Sequence, residues 1–220
     1  MSLSKREEKA LKRYESMSAI ENHLYENGHK KIAGVDEAGR GPLAGPVYAA
    51  AVILDPHNPI YGINDSKKLS AKKRETLAKE IEEKALAYCI TKKDVAYIDK
   101  YNILNATKAA MLEAINNLKI EPDYVLIDAV TLEDYPEDKQ EALVKGDARS
   151  NAIAAASILA KVARDHEMIE LDSVYPGYGF KQHKGYGTKK HYAALDKLGP
   201  TKIHRKKYLR SWYKKRAKND

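Results

Sequence analysis

Hydrophobic positions along the chain switch between a helical and an extended period, and the switches predict its elements. Leu11, Tyr14, Met17, Ile20 and Leu24 recur at helical spacing, so residues 1–30 read as a helical extension that Asn27-Gly28 ends. A short apolar strand over 31–35 then runs out into Asp36-Glu37 and the turn Gly39-Arg40-Gly41-Pro42. A second strand, 47–54, follows at hairpin distance with no room for a crossover, which predicts an antiparallel pair. Ser70 is placed to cap a helix reaching about residue 85, and a strand over about 86–91 comes next. Residues 102–118 form an amphipathic helix, broken by Glu121-Pro122-Asp123. The compact apolar run 124–127, ending in Asp128, has the pattern of a buried parallel strand.

A further short strand over about 142–145 ends at Gly146-Asp147, and the alanine-rich stretch 151–171 is a helix whose small side chains suit close packing on a sheet. After Tyr175-Pro176-Gly177 the texture turns to glycine, tyrosine, lysine and histidine, followed by two short basic helices over about 189–198 and 202–215. Strands alternating with helices predict a three-layer α/β core with a mixed central sheet flanked by helices. The expected organisation is an N-terminal extension (1–30), a core (31–175) and a basic C-terminal helical region (176–220).

Composition narrows this picture. At 220 residues, with 43% hydrophobic and 32% charged positions, the chain can bury a core and is no disordered polyelectrolyte. Its longest apolar run, 49–54, is far short of the roughly 20 residues a membrane helix needs. The charged start argues against a signal peptide, and the single cysteine, Cys89, excludes an internal disulfide and fits a reducing cytoplasm. The net charge of +8 is unevenly placed: residues 181–220 carry 14 bases against two acids, the first 180 carry 25 against 29. A basic end on a mildly acidic body suits a polyanion partner, and a solvated tail accounts for the charge equally well.

Four acids stand where strands run out: Asp36, Glu37, Asp128 and Asp147. Ligands of open α/β sheets bind beyond strand ends, so acids there are candidates for a site. Taken singly each is an ordinary polar strand end, and Asp147 also suits the N-terminus of the following helix. As a set they demand a cation, because two carboxylates about 4 Å apart repel by roughly 4 kcal/mol at an effective dielectric near 20. Carboxylate ligands select Mg²⁺ or Mn²⁺ over zinc, and such an ion can activate water for phosphodiester attack. Gly39-Arg40-Gly41 does not open a dinucleotide fold, since the next glycine, Gly45, comes one residue late and no helix follows. Its backbone can instead approach a small polar group such as a ribose hydroxyl. Aromatic residues are interleaved with the basic end; Tyr192, Tyr208 and Trp212 are expected to be buried, whereas Tyr186, between Gly185 and Gly187, is expected in an accessible loop.

The run Gly34-Val35-Asp36-Glu37-Ala38-Gly39-Arg40-Gly41-Pro42 resembles ribonuclease HII, the type 2 ribonuclease H family. Further matches follow in the family's order: Asn64-Asp65-Ser66-Lys67-Lys68-Leu69, Leu126-Ile127-Asp128, Lys145-Gly146-Asp147, Ala155 to Val162 with Arg164-Asp165, and His183-Lys184-Gly185-Tyr186-Gly187-Thr188. The resemblance spans about 31–205 and departs where Ala129 stands in place of a frequent glycine and where His204-Arg205-Lys206-Lys207-Tyr208 replaces a terminal His-Arg-Arg-Ser-Phe.

The resemblance implies a ribonuclease H-like fold in which 31–175 is catalytic and 176–220 binds substrate. It implies hydrolysis 5′ to ribonucleotides, in RNA/DNA hybrids and at single ribonucleotides within duplex DNA, leaving 3′-hydroxyl and 5′-phosphate. Asp36, Glu37, Asp128 and Asp147 would hold Mg²⁺ or Mn²⁺; Gly39, Arg40 and Gly41 would sense the 2′-hydroxyl; Tyr186 would pack beside that nucleotide. Lys67, Lys68 and Lys184 would touch phosphates, a role no better marked than solvated surface charge. A monomer in the cytoplasm, acting in ribonucleotide excision and primer removal, completes the expectation. Two other readings are a non-catalytic nucleic-acid-binding module and the sister nuclease ribonuclease HIII, whose larger N-terminal domain 30 residues cannot supply.

Overall fold

The computed structural model describes residues 4–217. Its first elements are two helices, α1 (Lys5–Met17) and α2 (Ala19–Glu26), in place of the single predicted extension. Ser4 and Glu7 cap α1 reciprocally, with Ser4 N–H donating to Glu7 Oε2 at 2.8 Å. The Ser18 hydroxyl turns back to the Tyr14 carbonyl at 2.8 Å, where the two helices separate.

Strand β1 (Ile32–Ala38) pairs antiparallel with β2 (Val47–Ile53), as the short connection predicts. Helix α3 (Ala71–Lys84), capped by Ser70, leads to β3 (Ala87–Lys93), antiparallel to β2. Helix α4 (Val95–Tyr101) was not foreseen; at seven residues it is too short to show a periodicity, and Asp94 starts it by accepting from Tyr97 N–H at 2.8 Å. Helix α5 (Ile103–Asn116) precedes β4 (Tyr124–Asp128), which is parallel to β1, and β5 (Gln140–Leu143) is parallel to β4. The sheet is therefore mixed, in the order β3-β2-β1-β4-β5.

Helix α6 (Asn151–Val174) covers one face of the sheet over β1 and β2, and α5 covers the other. Sequence dictates how close α6 comes. A Cβ built on Gly34 would lie 2.0 Å from the carbonyl carbon of Ala152, so only a hydrogen lets the helix backbone rest on β1. Ala154, Ala155 and Ala156 continue that flat contact and are wholly buried. The remaining helices, α7 (Phe180–His183), α8 (Lys189–Leu198) and α9 (Arg210–Arg216), share an apolar cluster with the loop after β1 and the end of α6: Leu43, Met168, Phe180, Leu195, Leu209 and Trp212. Among the described residues no helix is long and apolar enough to cross a membrane.

Four expectations need correction. Strand β1 continues through Asp36 and Glu37, which pair with Ala50 and Ala49 of β2; only the parallel ladder to β4 stops earlier, at Val35 opposite Ile127. Strand β5 ends at Leu143, so Asp147 lies in a separate 3₁₀ turn, Gly146–Ala148, entered through Lys145 in the left-handed region at φ 57°. The helix expected over 202–215 begins only after residue 205: His204 bridges to Ala44, a 3₁₀ turn spans Lys206–Leu209, and α9 follows. Arg205 is drawn into the interior there, and its N–H bonds to the Leu43 carbonyl at 2.8 Å. Of the aromatics expected inside, Trp212 is buried and Tyr208 partly so, whereas Tyr192 is 39% exposed.

Candidate active site

Asp36 is buried within β1, where its Oδ1 accepts the N–H of Glu37 at 2.6 Å, and the Ser157 hydroxyl of α6 is close enough to favour its charged form. Burial first, then the charges of Glu37 and Asp128, push its carboxyl well above the usual carboxylate range. Burial raises Glu37 as well, opposed by the Arg40 guanidinium 3.6 Å away. One oxygen of Glu37, Oε2, is buried with no hydrogen-bond partner. Asp128, the last residue of β4, accepts the N–H of Gly146 at 2.7 Å, and this ties the strand to the turn that carries Asp147. Asp147 is raised by burial, then by Asp65 and Asp128.

Asp128 therefore joins the acids named from sequence: its charge acts on Asp36, Glu37 and Asp147, and Asp65 acts on Asp147 as a fifth. Among the described residues no three of them form a finished ligand cluster. The donor set nevertheless fits a hard divalent cation: the oxygens are all carboxylate, three of the acids are held towards their neutral forms, and the orphaned Glu37 Oε2 lacks the partner a cation would be.

The glycine-rich turn is held from behind by two buried arginines. Arg205 spreads its guanidinium over four carbonyls: Nη1 donates to Arg40 at 2.8 Å, Nη2 to Gly39 at 2.6 Å and Pro46 at 3.2 Å, and Nε to Gly45 at 3.0 Å. Arg164 donates to Pro46 at 3.1 Å, Ala44 at 3.2 Å and Lys184 at 3.0 Å, and so joins the turn to the loop that bears Tyr186. Gly39 sits at φ 104°, and a Cβ there would come within 2.2 Å of Arg164 Nε. The Tyr186 ring stands in front, 42% exposed, 3.8 Å from where Gly41 would carry a Cβ, with the Arg164 and Lys161 cations 5.8 and 6.0 Å from its centre.

The lysines part company. Lys67 is close enough to favour the charged forms of both Glu37 and Asp147. Lys68 pairs with Asp65 at 3.6 Å and leaves its head exposed. The Lys184 ammonium bonds to the Lys181 carbonyl, and its tie to the site is its own carbonyl, held by Arg164.

Sequence reasoning missed Asp65, Arg164, Arg205 and Glu21 as parts of this region. Asp65 lies in the motif Asn64 to Leu69, where Lys67 and Lys68 carry the more conspicuous charge. Arg164 could have been suspected, because it falls on the buried stripe of α6 four residues after Ala160 and four before Met168. Arg205 carries no local signal in a run of surface cations. Glu21 of α2 is buried; its Oε1 accepts from Ser150 Oγ at 2.7 Å and Ala152 N–H at 3.1 Å, at the start of α6. Ser150 N–H in turn holds the Gly146 carbonyl at 2.8 Å, so the extension buttresses the turn between Asp128 and Asp147.

Comparison with known proteins identifies the family. The family model described as Ribonuclease HII matches residues 33–215. The chain is 56% identical over 201 residues to Ribonuclease HII of Enterococcus faecalis, covering 91% of this chain and 78% of that protein. It is 54% identical to Ribonuclease HII of Clostridioides difficile, over 90% of this chain and 78% of that one. Among solved structures it is similar to ribonuclease H2 from Pyrococcus horikoshii OT3, with TM-score 0.69 and 27% identity over 86% of this chain and all of that one. It is also similar to the RNase HII chain of a PCNA:RNase HII complex from Archaeoglobus fulgidus, with TM-score 0.67 and 27% identity over 80% and 94%. A five-stranded mixed sheet between helices, carrying clustered acids and matched over nearly its whole length, places this chain in the ribonuclease HII family of metal-dependent ribonucleases H.

Proposed function

We propose that this ribonuclease H cuts the phosphodiester on the 5′ side of ribonucleotides, both in RNA/DNA hybrids and at a single ribonucleotide embedded in duplex DNA, and leaves 3′-hydroxyl and 5′-phosphate. The observation that carries the reading is the juxtaposition of three features: the acid group, the glycine turn held open from behind, and the Tyr186 ring facing Gly41. Asp36, Glu37, Asp128 and Asp147 would hold the divalent ion, Mg²⁺ or Mn²⁺, which when bound supplies an activated water and a counter-charge for the leaving oxygen.

The chain's own groups orient the substrate. Gly39 and Gly41 have no side chains to block approach, so the backbone between them can meet a 2′-hydroxyl, and Arg40 pairs with Glu37 at the edge of the acids. The Tyr186 ring covers the sugar of the junction nucleotide, Lys67 and Lys68 offer charge to flanking phosphates, and the basic C-terminal region tracks the duplex. The Lys184 ammonium reaches phosphate only by leaving the Lys181 carbonyl. A monomer acting in the cytoplasm, in ribonucleotide excision and primer removal, suits this chemistry.

The test is a duplex carrying one ribonucleotide, incubated with protein and Mg²⁺ or with chelator. A nick 5′ to the ribonucleotide in the first case only is expected, and no nick in either refutes the reading. Asp36→Asn and Asp128→Asn should abolish cutting while leaving binding in place; normal cutting by either removes it from the metal site.

A further inference from the structure

Three histidines behind Tyr186 have no part in the mechanism above. His191 and His204 are buried, His183 stacks on His191 with ring centres 4.5 Å apart, and all three sit among Phe180, Tyr178 and the start of α8. Their proton positions follow from the backbone groups at each end. Thr201 N–H can only donate, so His204 Nδ1, 2.9 Å away, accepts and carries no proton. The His204 proton is therefore on Nε2, 3.0 Å from His191 Nε2, which must accept it. That leaves the His191 proton on Nδ1, where it donates to the Tyr186 carbonyl at 2.9 Å, a group that can only accept. Gly185 N–H fixes His183 in the same way: it donates to Nδ1 at 3.2 Å and leaves Nε2–H for the Tyr178 carbonyl at 2.8 Å.

The anchor matters because individual hydrogen bonds, not a regular helix or strand, hold the chain there: Tyr186 N–H donates to the His183 carbonyl at 2.9 Å and Leu43 N–H to the Gly185 carbonyl at 2.8 Å. Tyr186 lies between two glycines, Lys184 and Gly185 both adopt left-handed conformations, and more than half of Tyr186 is covered. Its carbonyl is held by the Thr188 N–H at 2.8 Å and by His191. We propose that the series Thr201, His204, His191 is a positioning device that holds the Tyr186 carbonyl and thereby sets its ring opposite Gly41. His191 and His204 touch no substrate; they act through Tyr186. This inference rests on the reading of Tyr186 as the residue that meets the junction nucleotide. Neither ring can take a second proton without setting two N–H groups against each other, so the device works only with both neutral.

Amide isosteres separate positioning from packing. In His191→Asn the side-chain nitrogen falls where Nδ1 was, so the bond to Tyr186 is kept and the link to His204 is lost. In His191→Gln the terminal amide lies where Nε2 was, so the link to His204 is kept and the bond to Tyr186 is lost. Both are assayed on a duplex with one ribonucleotide, well below their melting temperatures, beside Tyr186→Ala. The Gln variant should lose about 10- to 100-fold in kcat/KM, as a misplaced substrate group does, whereas the Asn variant, which keeps that bond but loses the partner that orients it, should lose less, about three- to tenfold. An Asn variant equal to wild type removes Thr201 and His204 from the device. Equal activity of the two variants, when Tyr186→Ala is impaired, overturns the proposal. Should Tyr186→Ala cut like wild type, the role of Tyr186 in cleavage falls and the proposed purpose of the relay falls with it. Nitrogen-15 correlation spectra at neutral pH should show Nδ1–H on His191 and Nε2–H on His204. The opposite tautomers, or a charged ring, also overturn the relay.

Discussion

Replacing Arg205 by lysine keeps a positive charge and removes the planar fork. In the native protein the guanidinium serves the carbonyls of Gly39, Arg40, Gly45 and Pro46 from a site with no exposure, and burial holds its pKa down at about 10, still well above neutrality. A lysine ammonium is compact and shorter in reach, and its tetrahedral donors cannot serve four in-plane acceptors. Pro46 keeps Arg164 and Arg40 keeps the Tyr208 hydroxyl, so Gly39 and Gly45 are the carbonyls left without their donors, at about 1–3 kcal/mol each, and the expected loss is about 3–5 kcal/mol. For a chain of this size that corresponds to a fall in Tm of roughly 6–20 °C. Urea denaturation at pH 7 measures the free energy, and cleavage at a single ribonucleotide measures the turn: KM should rise, because the glycine backbone proposed to receive the substrate is no longer held. A lysine variant within about 1 kcal/mol of wild type and with unchanged KM would falsify the claim that the fork, more than the charge, builds this turn.

Three further outcomes are expected. His191 and His204 have folded-state pKa values lowered to about 4, chiefly by burial, so between that value and an unfolded pKa near 6.5 the unfolded chain binds more protons and their contribution to stability is lost as pH falls. Asp36 and Glu37, raised in the fold, act in the opposite sense, so the test is a difference: wild type should weaken relative to a His191→Asn/His204→Asn variant by about 1 kcal/mol per histidine from pH 7 to pH 5, and a flat difference contradicts the assignment. Ala129 is exposed at φ 57°, a conformation that costs an alanine about 1–2 kcal/mol, so Ala129→Gly should stabilise by about 0.5–1 kcal/mol in denaturant titration; a loss of stability would contradict this. Glu21→Ala should cost about 2–3 kcal/mol by stripping Ser150 and Ala152 of their acceptor and should raise the Mg²⁺ concentration needed for half-maximal cutting, whereas Glu21→Gln keeps an acceptor and loses less of both. Identical metal dependence in wild type and the alanine variant would detach the extension from the acids.

Much of this protein was legible in one dimension. The alternating strands and helices, the antiparallel start of the sheet and the buried run before Asp128 all follow from hydrophobic period and local turn chemistry, because a strand or helix is chosen by neighbours within a few residues. The ordered motifs announced the family because the packed fold leaves those positions no choice: Gly34 must be glycine for α6 to rest on β1, and Gly39 and Gly185 must tolerate positive φ. Only the folded chain decided what Arg164 and Arg205 do. By composition they are two more cations in a basic protein; their charges become a scaffold because carbonyls from a loop more than a hundred residues away close around them. The same holds for Glu21 beneath Ser150, for Asp65 beside Asp147, and for three histidines whose protons are placed by backbone groups at the far ends of their series. Local pattern selects elements because its energies are local. Burial, charge pairing and proton position depend on which distant groups share a small volume, and that is a property of the packed tertiary structure.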